Sequence, residues 1–363
     1  MKRIVVKIGS SGLTLVQGGV NQSQLQAFCD DITTLRKKNI EVIIVTSGAI
    51  NCARNILSKH ELETLTFMQA AAAIGMPKLM QEYQKKLAPQ EIAQLLLTHE
   101  DFRYQKRYLN LRSTLLALLK KNIIPIINEN DVISTAEITV GDNDQLAAMV
   151  AETVEADQLL LLTEADGLYT HHPSDPLAKQ LKHIAPDDLL KNISTSKKTS
   201  AGRGGMSAKI QAIRRLTPLG IEVRVGTHLA THPLTRLLFE HEGTLFSSFQ
   251  KKSTGPTNSK SSWMIATAKP GAVVLIDAGA ATALNTHRSL LAVGVKKVLG
   301  VFLKGDVVTL KSQGKILGWG LIEMSSKELM KIQGLKSEAI QQKFPHLTSA
   351  VVIHADHLTL KES

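Results

Sequence analysis

The sequence predicts an α/β chain: an αβα sandwich on a mostly parallel central sheet, followed by a small β-rich domain. Three observations predict it. Over the first 246 residues, short β-prone runs alternate with longer amphipathic stretches. Several of those runs are apolar throughout instead of alternating, as strands covered on both faces are. At Ser247 the composition changes to a polar, basic stretch, SSFQKKSTGPTNSKSS, with little that can pack into a core.

Taken in order, residues 4–8 (IVVKI), 42–45 (VIIV), 123–127 (IIPII), 159–162 (LLLL) and 221–225 (IEVRV) predict strands. Helix-length segments lie between them at 22–38, 67–86, 108–121 and 145–154. The polar stretch predicts a linker over 247–270, dividing a first domain, 1–246, from a second, 271–363. In the second, residues 272–276, 298–302, 307–310 and 351–354 predict strands separated by Gly-containing turns. A chain of 363 residues is too long for one comfortable core and suits two domains.

Composition narrows the class. With 43% hydrophobic and 21% charged residues, and no run of about eighteen apolar residues, the sequence reads as a soluble globular protein that does not span a membrane. The apolar stretch in MKRIVVKIGSSG is shorter than the roughly 7–15 residues of a signal peptide, so it reads as the first strand. Cys29 and Cys52 have no metal-like spacing, which suits a reducing, cytoplasmic setting. The net charge of +11 is uneven: residues 1–246 carry 28 Lys/Arg against 25 Asp/Glu, 247–260 carry 3 against 0, and 261–363 carry 12 against 7. A basic C-terminal third serves equally as a solubilising surface or as a surface for RNA.

Ligands of open α/β sheets collect where strands end, and those ends are distinctive here. After the first strand comes Lys7-Ile8-Gly9-Ser10-Ser11-Gly12; after the second, Thr46-Ser47-Gly48-Ala49-Ile50. Either Gly-rich turn alone is as well explained by sterics as by anion binding. Residues 126–131 (IINEND) and 140–144 (VGDND) put acidic and amide groups after one apolar strand and again before an apolar helix, including Asn128, Asp131, Asp142, Asn143 and Asp144. They are too many to be helix caps alone, and they suit an ammonium group, Mg²⁺ or the orientation of a lysine. A third Gly-rich loop, Ala201-Gly202-Arg203-Gly204-Gly205-Met206-Ser207-Ala208-Lys209, runs into a helix. It is neither a GxxxxGK[ST] nor a GxGxxG motif, so P-loop and dinucleotide-binding readings lose support.

Two lysines, Gly-rich loops and a carboxylate-rich patch suit phosphoryl transfer, in which catalysis is mostly positioning and charge neutralisation. A carboxylate acceptor, with a reference pKa of about 4.3, is already ionised at neutral pH and needs no general base. The histidine pairs His171/His172, His228/His232 and His354/His357 sit in turn or edge contexts without an evident carboxylate or cysteine partner, and are not expected to bind metal.

Together VVKIGSS, VTSGAI, INENDVISTAEITVGDND, LLLLTEADGLYT and GGMSAK, in this order and spacing, resemble the amino acid kinase family over nearly the whole chain. Residues 126–144 most resemble members acting on L-glutamate. The segment from Gly271 onward resembles a PUA domain, a barrel-like module that binds RNA in other proteins. The resemblance implies an ATP-dependent transfer to the γ-carboxylate of L-glutamate with Mg²⁺ carried mainly on the ATP phosphates, a step that opens proline synthesis. It also implies feedback inhibition by proline and a homodimer or homotetramer. Lys7, Lys209 and Asp144 fall on catalytic positions, and Ser47, Asp131 and Asn143, with Asn128 and Asp142 beside them, on substrate positions. Lys7, Gly9, Thr163 and Glu164, and the run Arg203, Gly204, Gly205, Met206, Ser207, Ala208 and Lys209, fall on nucleotide positions. Three positions depart from the family pattern: Glu164 stands for Asp, His172 for the Asp of a common Asp-Pro, and Arg203 for Thr. Arg203 either reaches a phosphate or points to solvent.

Overall fold

The first strand forms because Ile4, Val6 and Ile8 all bury on one face of the pleat while Val5 and Lys7 bury on the other. A computed structural model describes residues 2–57, 60–134, 142–170, 177–185, 205–248, 263–265, 267–344 and 349–361. The chain separates into two compact units, Met1–Gly255 and Pro256–Ser363.

The first unit runs β1 Arg3–Ile8, α1 Gln22–Lys37, β2 Glu41–Val45, α2 Ala49–Cys52, α3 Leu65–Leu87, β3 Ile92–Leu97, α4 His99–Arg103, α5 Gln105–Lys120, β4 Ile124–Glu129 and α6 Asp142–Thr153. It continues with β5 Gln158–Thr163, β6 Leu168–Tyr169, β7 Gln180–Leu181, β8 His183–Ile184, α7 Gly205–Leu216, β9 Glu222–Thr227, α8 Pro233–Phe239 and β10 Thr244–Phe246. Eight strands form one sheet in the order β3-β4-β2-β1-β5-β9-β10-β8. From β3 to β9 every neighbouring pair is parallel, and β10 turns antiparallel to β9. One face is packed by α1, α3 and α8, whose Phe28, Ile32, Leu79, Tyr83 and Leu237 share a core with Ile4, Val6 and Ile44. On the other face α6 lies against β1 and β5, with α7 beside it. The expected αβα sandwich is therefore present.

Helix α1 follows from Leu25, Phe28, Cys29, Ile32 and Leu35, spaced to make one apolar stripe, with Asn21 accepting from the Gln24 N–H at its start. Its buried Asp31 accepts from Leu234 N at 2.6 Å, Thr235 N at 3.2 Å and Thr235 Oγ1 at 2.8 Å, so α1 caps α8 across some two hundred residues of chain.

Some boundaries move from their expected places. The strand expected over 123–127 is β4, and it continues through Asn128 and Glu129, both buried. The helix expected to begin at Gln145 begins at Asp142, so Asn143 and Asp144 lie in its first turn and not before it. Strand β3 was not expected: it is half exposed at the sheet edge and interrupted by Gln94, so it lacks the continuous apolar run of the central strands.

The second unit contains β11 Ala268–Ile276, β12 Leu290–Leu291, β13 Val295–Leu299, β14 Val307–Ser312, β15 Lys315–Leu321, β16 Val351–Ile353 and β17 Leu358–Leu360. Five strands make a mixed sheet, β13-β11-β14-β15-β17, and β12 pairs with β16. Val274, Val298, Phe302, Val308, Leu329, Ile332 and Ile353 share its core. Strand β11 begins at Ala268, within the stretch read from sequence as linker, and residues 249–262 of that stretch lie outside the described residues. The strand expected over 298–302 is instead Val295–Leu299, ended by a turn in which Gly300 takes φ 77°. Helices Ala278–Asn285, Ser326–Ile332 and Ser337–Lys343 complete the unit. Among the described residues, no helix is long and apolar enough to cross a membrane.

Candidate active site

Strand β1 leads by way of α1 to β2 on one side, while β5 leads to β9 on the other. The loops leaving β1 and β5 therefore diverge, opening a crevice at the carboxyl ends of these strands. Lys7 sits near the end of β1, paired in register with Val45 and Leu161. Its Nζ is 2.7 Å from Asp144 Oδ1, and Lys209 Nζ is 2.9 Å from Asp144 Oδ2. Asp144 is fully buried, and the two lysine side chains are only 10% and 12% exposed.

Three elements supply these groups: β1, the first turn of α6 and the first turns of α7. Gln145, next to Asp144, donates from Nε2 to the Ala208 carbonyl at 2.8 Å and so joins the two helix starts. Further along, Arg215 Nε meets the buried Glu152 Oε2 at 2.7 Å. One carboxylate between two ammonium groups leaves an excess positive charge in a place with little water, and such a charge is costly until an anion arrives. Burial lowers the pKa of Lys7, with Asp144 opposing that shift and Lys209 adding to it.

Beside this cluster lies a network made mainly of neutral groups. Asn143 Nδ2 lies 2.6 Å from Ser47 Oγ, 3.2 Å from the Thr46 carbonyl and 3.2 Å from Asn128 Oδ1. Asn128 Nδ2 in turn reaches Asp131 Oδ2 at 3.3 Å. Ser47 is presented by the turn from β2 into α2, where Gly48 takes φ 103°, a left-handed conformation that residues with a Cβ avoid. From below, the hydroxyl of fully buried Tyr83 pairs with Thr46 Oγ1 at 3.1 Å. The Asn143 Oδ1 atom is buried with no hydrogen-bond partner among the described residues, an acceptor suited to a ligand's ammonium group.

Of the residues expected from sequence, Lys7, Asp144 and Lys209 come together, as do Ser47, Asn128, Asp131 and Asn143. Gly9 follows directly: a Cβ there would stand 3.7 Å from Lys7 Nζ. Thr163 ends β5 and Glu164 follows it; the Thr163 carbonyl accepts from His228 N at 2.9 Å and the Glu164 carbonyl from Thr227 Oγ1 at 3.1 Å. Asp142 opens α6, and Gly205, Met206 and Ser207 open α7. Arg203, Gly204, His171 and His172 lie outside the described residues.

Sequence reasoning gave no role to Gln145, named Thr46 only as part of a Gly-rich turn and weighed His228 only as a metal ligand. His228 directly follows Thr227, the last residue of β9, and a strand read that far would have exposed it as a strand-end residue. The expectation of histidines without acidic neighbours is corrected: His232 lies 3.3 Å from Asp31, His354 3.4 Å from Asp356 and His357 3.4 Å from Glu323. Asp31 and Glu323 come from the fold, being distant in sequence from their histidines, whereas Asp356 lies two residues from His354.

The sandwich, the switch point and the lysine pair define a class, and sequence comparison agrees: the chain belongs to the amino acid kinase family, whose model matches residues 2–227, and a PUA domain model matches residues 272–344. Within the family it is similar to the glutamate 5-kinase of Halalkalibacterium halodurans, 38% identical over 370 residues covering 99% of this chain and 98% of that protein. It is likewise similar to the glutamate 5-kinase of Dictyoglomus thermophilum, 37% identical over 99% of this chain and 97% of that protein. Among solved structures, the carbamate kinase of Giardia lamblia superposes on 68% of this chain and 99% of its own, at 16% identity and a TM-score of 0.49.

Proposed function

We propose that the protein transfers the γ-phosphoryl group of ATP to the γ-carboxylate of L-glutamate, giving γ-glutamyl phosphate and ADP, the first step of proline biosynthesis. The observation that carries this reading is the fully buried Asp144 holding Lys7 and Lys209 side by side at the sheet's switch point. Full-length similarity to glutamate 5-kinases supports the choice of substrate.

In this reading an ionised γ-carboxylate oxygen attacks the γ-phosphorus, the bond to the β-phosphate oxygen breaks, and ADP leaves. No proton is removed from the acceptor, so no general base is needed. Charge spread over the phosphoryl oxygens is met by Lys7 and Lys209, fixed in advance by Asp144, so little reorganisation accompanies the reaction. Ser47, Asn128, Asp131 and Asn143, with Asp142 nearby, hold the α-ammonium and α-carboxylate of glutamate. Gly9, Thr163, Glu164 and the stretch Arg203 to Lys209 receive the nucleotide.

Mg²⁺ neutralises phosphate charge in such reactions. Among the described residues no three His, Cys, Asp or Glu side chains gather as a ligand set, and Asp144 is engaged by two lysines. In this reading the ion arrives on the ATP phosphates. Proline, which shares the α-amino and α-carboxyl groups of glutamate, is proposed as feedback inhibitor. A homodimer or homotetramer, a cytoplasmic location and RNA binding by the PUA domain belong to the same reading.

The test is Mg-ATP turnover with hydroxylamine present, which traps an acyl phosphate as a hydroxamate. Glutamate-dependent ADP release matched by γ-glutamyl hydroxamate is expected. Turnover supported by aspartate or acetylglutamate and not by glutamate would defeat the substrate assignment.

A further inference from the structure

His228 is buried to all but 6% of its surface, yet the phosphoryl-transfer chemistry above leaves it without a part. It leaves the end of β9 toward the loop that follows β1. There its Nε2 lies 3.4 Å from Ser11 Oγ, in the short turn Ser10–Gly12 that begins three residues after Lys7. Its backbone N–H donates to the Thr163 carbonyl at 2.9 Å, and its neighbour Thr227 donates to the Glu164 carbonyl. One residue thus joins the loop leaving β1 to the loop leaving β5, on either side of the switch point.

The fit around the ring is specific. A Cβ on Gly12 would stand 3.0 and 3.1 Å from the imidazole carbons Cγ and Cδ2, so the turn approaches the ring closely only because position 12 has no side chain. A cavity of about 170 Å³ adjoins it, lined by Ile8, Gly12, Phe28, His228, Leu229 and Pro233. Open space beside the ring means that packing alone does not fix it, and the Ser11 contact gains weight. Burial lowers the imidazole pKa, opposed by Glu164 and reinforced by Lys7, so the ring is neutral at neutral pH and adds no charge to the lysine pair.

We propose that His228 is a positioning residue for the nucleotide phosphates, holding the Ser10–Gly12 turn against the β5 end so that the two loops form one phosphate cradle. The proposal rests on the kinase reading for what fills the cradle, though not on glutamate as acceptor.

The test is calorimetric titration of the full chain with the Mg²⁺ complex of the non-hydrolysable ATP analogue adenylyl imidodiphosphate, without glutamate. His228→Ala is expected to weaken binding about tenfold, the worth of a part-buried hydrogen bond together with the loop order it maintains. His228→Gln, whose amide reaches the position of Nε2, is expected to recover most of that loss. Gly12→Ala should weaken binding in the parent, and should do so less in the His228→Ala background, where the ring is gone. Thermal unfolding of each variant separates loss of fold from loss of fit, and His228→Gln and Gly12→Ala keep the test decisive if His228→Ala unfolds. Binding by His228→Ala within twofold of the parent overturns the proposal, as does failure of Gln to outperform Ala, or strict additivity of the two substitutions. A parent that binds the analogue through His228 but shows no glutamate-dependent turnover would overturn the substrate assignment and leave His228 in its role.

Discussion

On the proposed phosphoryl side of the site, two lysines from β1 and α7 meet at one fully buried carboxylate from α6. On the proposed amino acid side, Ser47, Asn128 and Asn143 are linked mainly through neutral amide and hydroxyl groups, with a single carboxylate, Asp131, at the edge. The difference is chemical. A group that must respond to charge moving during the reaction is best fixed, dry and ionic, because each interaction there is strong and already oriented. A group that must recognise one small zwitterion before the reaction is best supplied with directional donors and acceptors, which reject the wrong shape without trapping the product. Truncations on the first side should therefore appear in kcat, and on the second in the KM for glutamate.

The largest effect expected is from Lys209→Ala, which in the proposed reaction removes one of two cations facing the transferred group and leaves Asp144 paired with Lys7 alone. A fall in kcat of about 10²–10³-fold is expected, with the glutamate KM changed far less. Steady-state kinetics at saturating ATP check it, and a normal kcat would remove Lys209 from the reacting centre. Next in size is Asn143→Ala, which breaks the contacts to Ser47, Thr46 and Asn128 together. The glutamate KM should rise about ten- to a hundredfold with the KM for ATP nearly constant. Equal rises in both constants would mean that Asn143 supports the first turn of α6 and selects nothing.

A third prediction uses pH. Because burial lowers the Lys7 pKa, its ammonium gives up its proton at a lower pH than an exposed lysine would. The cation is complete on the acid side of that lowered value and lost as pH rises through it, so kcat should fall on the alkaline side before the usual lysine range is reached. Lys7→Arg, which stays protonated there, should be slower at neutral pH but lack that decline. A parent profile flat through the alkaline range would show that Lys7 keeps its proton and that Asp144 outweighs burial.

The sequence made much of this arrangement legible for a definite reason. Central strands of a parallel sheet are apolar on both faces, so β1, β2, β4 and β5 stood out, and the ends of the first three pointed to Lys7, Ser47 and Asn128, while Thr163 at the end of β5 came from the family resemblance. The Lys7–Asp144–Lys209 cluster followed from family resemblance and not from spacing, since its members lie on three separate elements. What stayed hidden depends on long-range closure. Asp31 capping α8, Tyr83 beneath Thr46 and His228 beside Ser11 each join positions tens to hundreds of residues apart, and none carries a local pattern. Edge strand β3 and the two-residue strands β6, β7 and β8 were likewise too exposed or too short to print a periodicity.

The smallest predicted effect tests how the amino acid side is supported. Tyr83 lies wholly within the core of α1, α3 and β2, yet its hydroxyl reaches Thr46, whose carbonyl accepts from Asn143. Tyr83→Phe keeps the ring and removes only that hydroxyl, leaving Thr46 Oγ1 its contact with the Ser47 carbonyl at 3.3 Å. Loss of one buried hydrogen bond costs about 1 kcal/mol. If the loss is passed up the chain of contacts, the glutamate KM rises about fivefold while the ATP KM and kcat stay put. If the loss is absorbed by the core, thermal stability falls by the same amount and both KM values are unchanged. The second outcome would mean that the recognition network is self-supporting, held by Asn143 and Asn128 alone; the first would make it, like the lysine cluster, a site oriented from the interior.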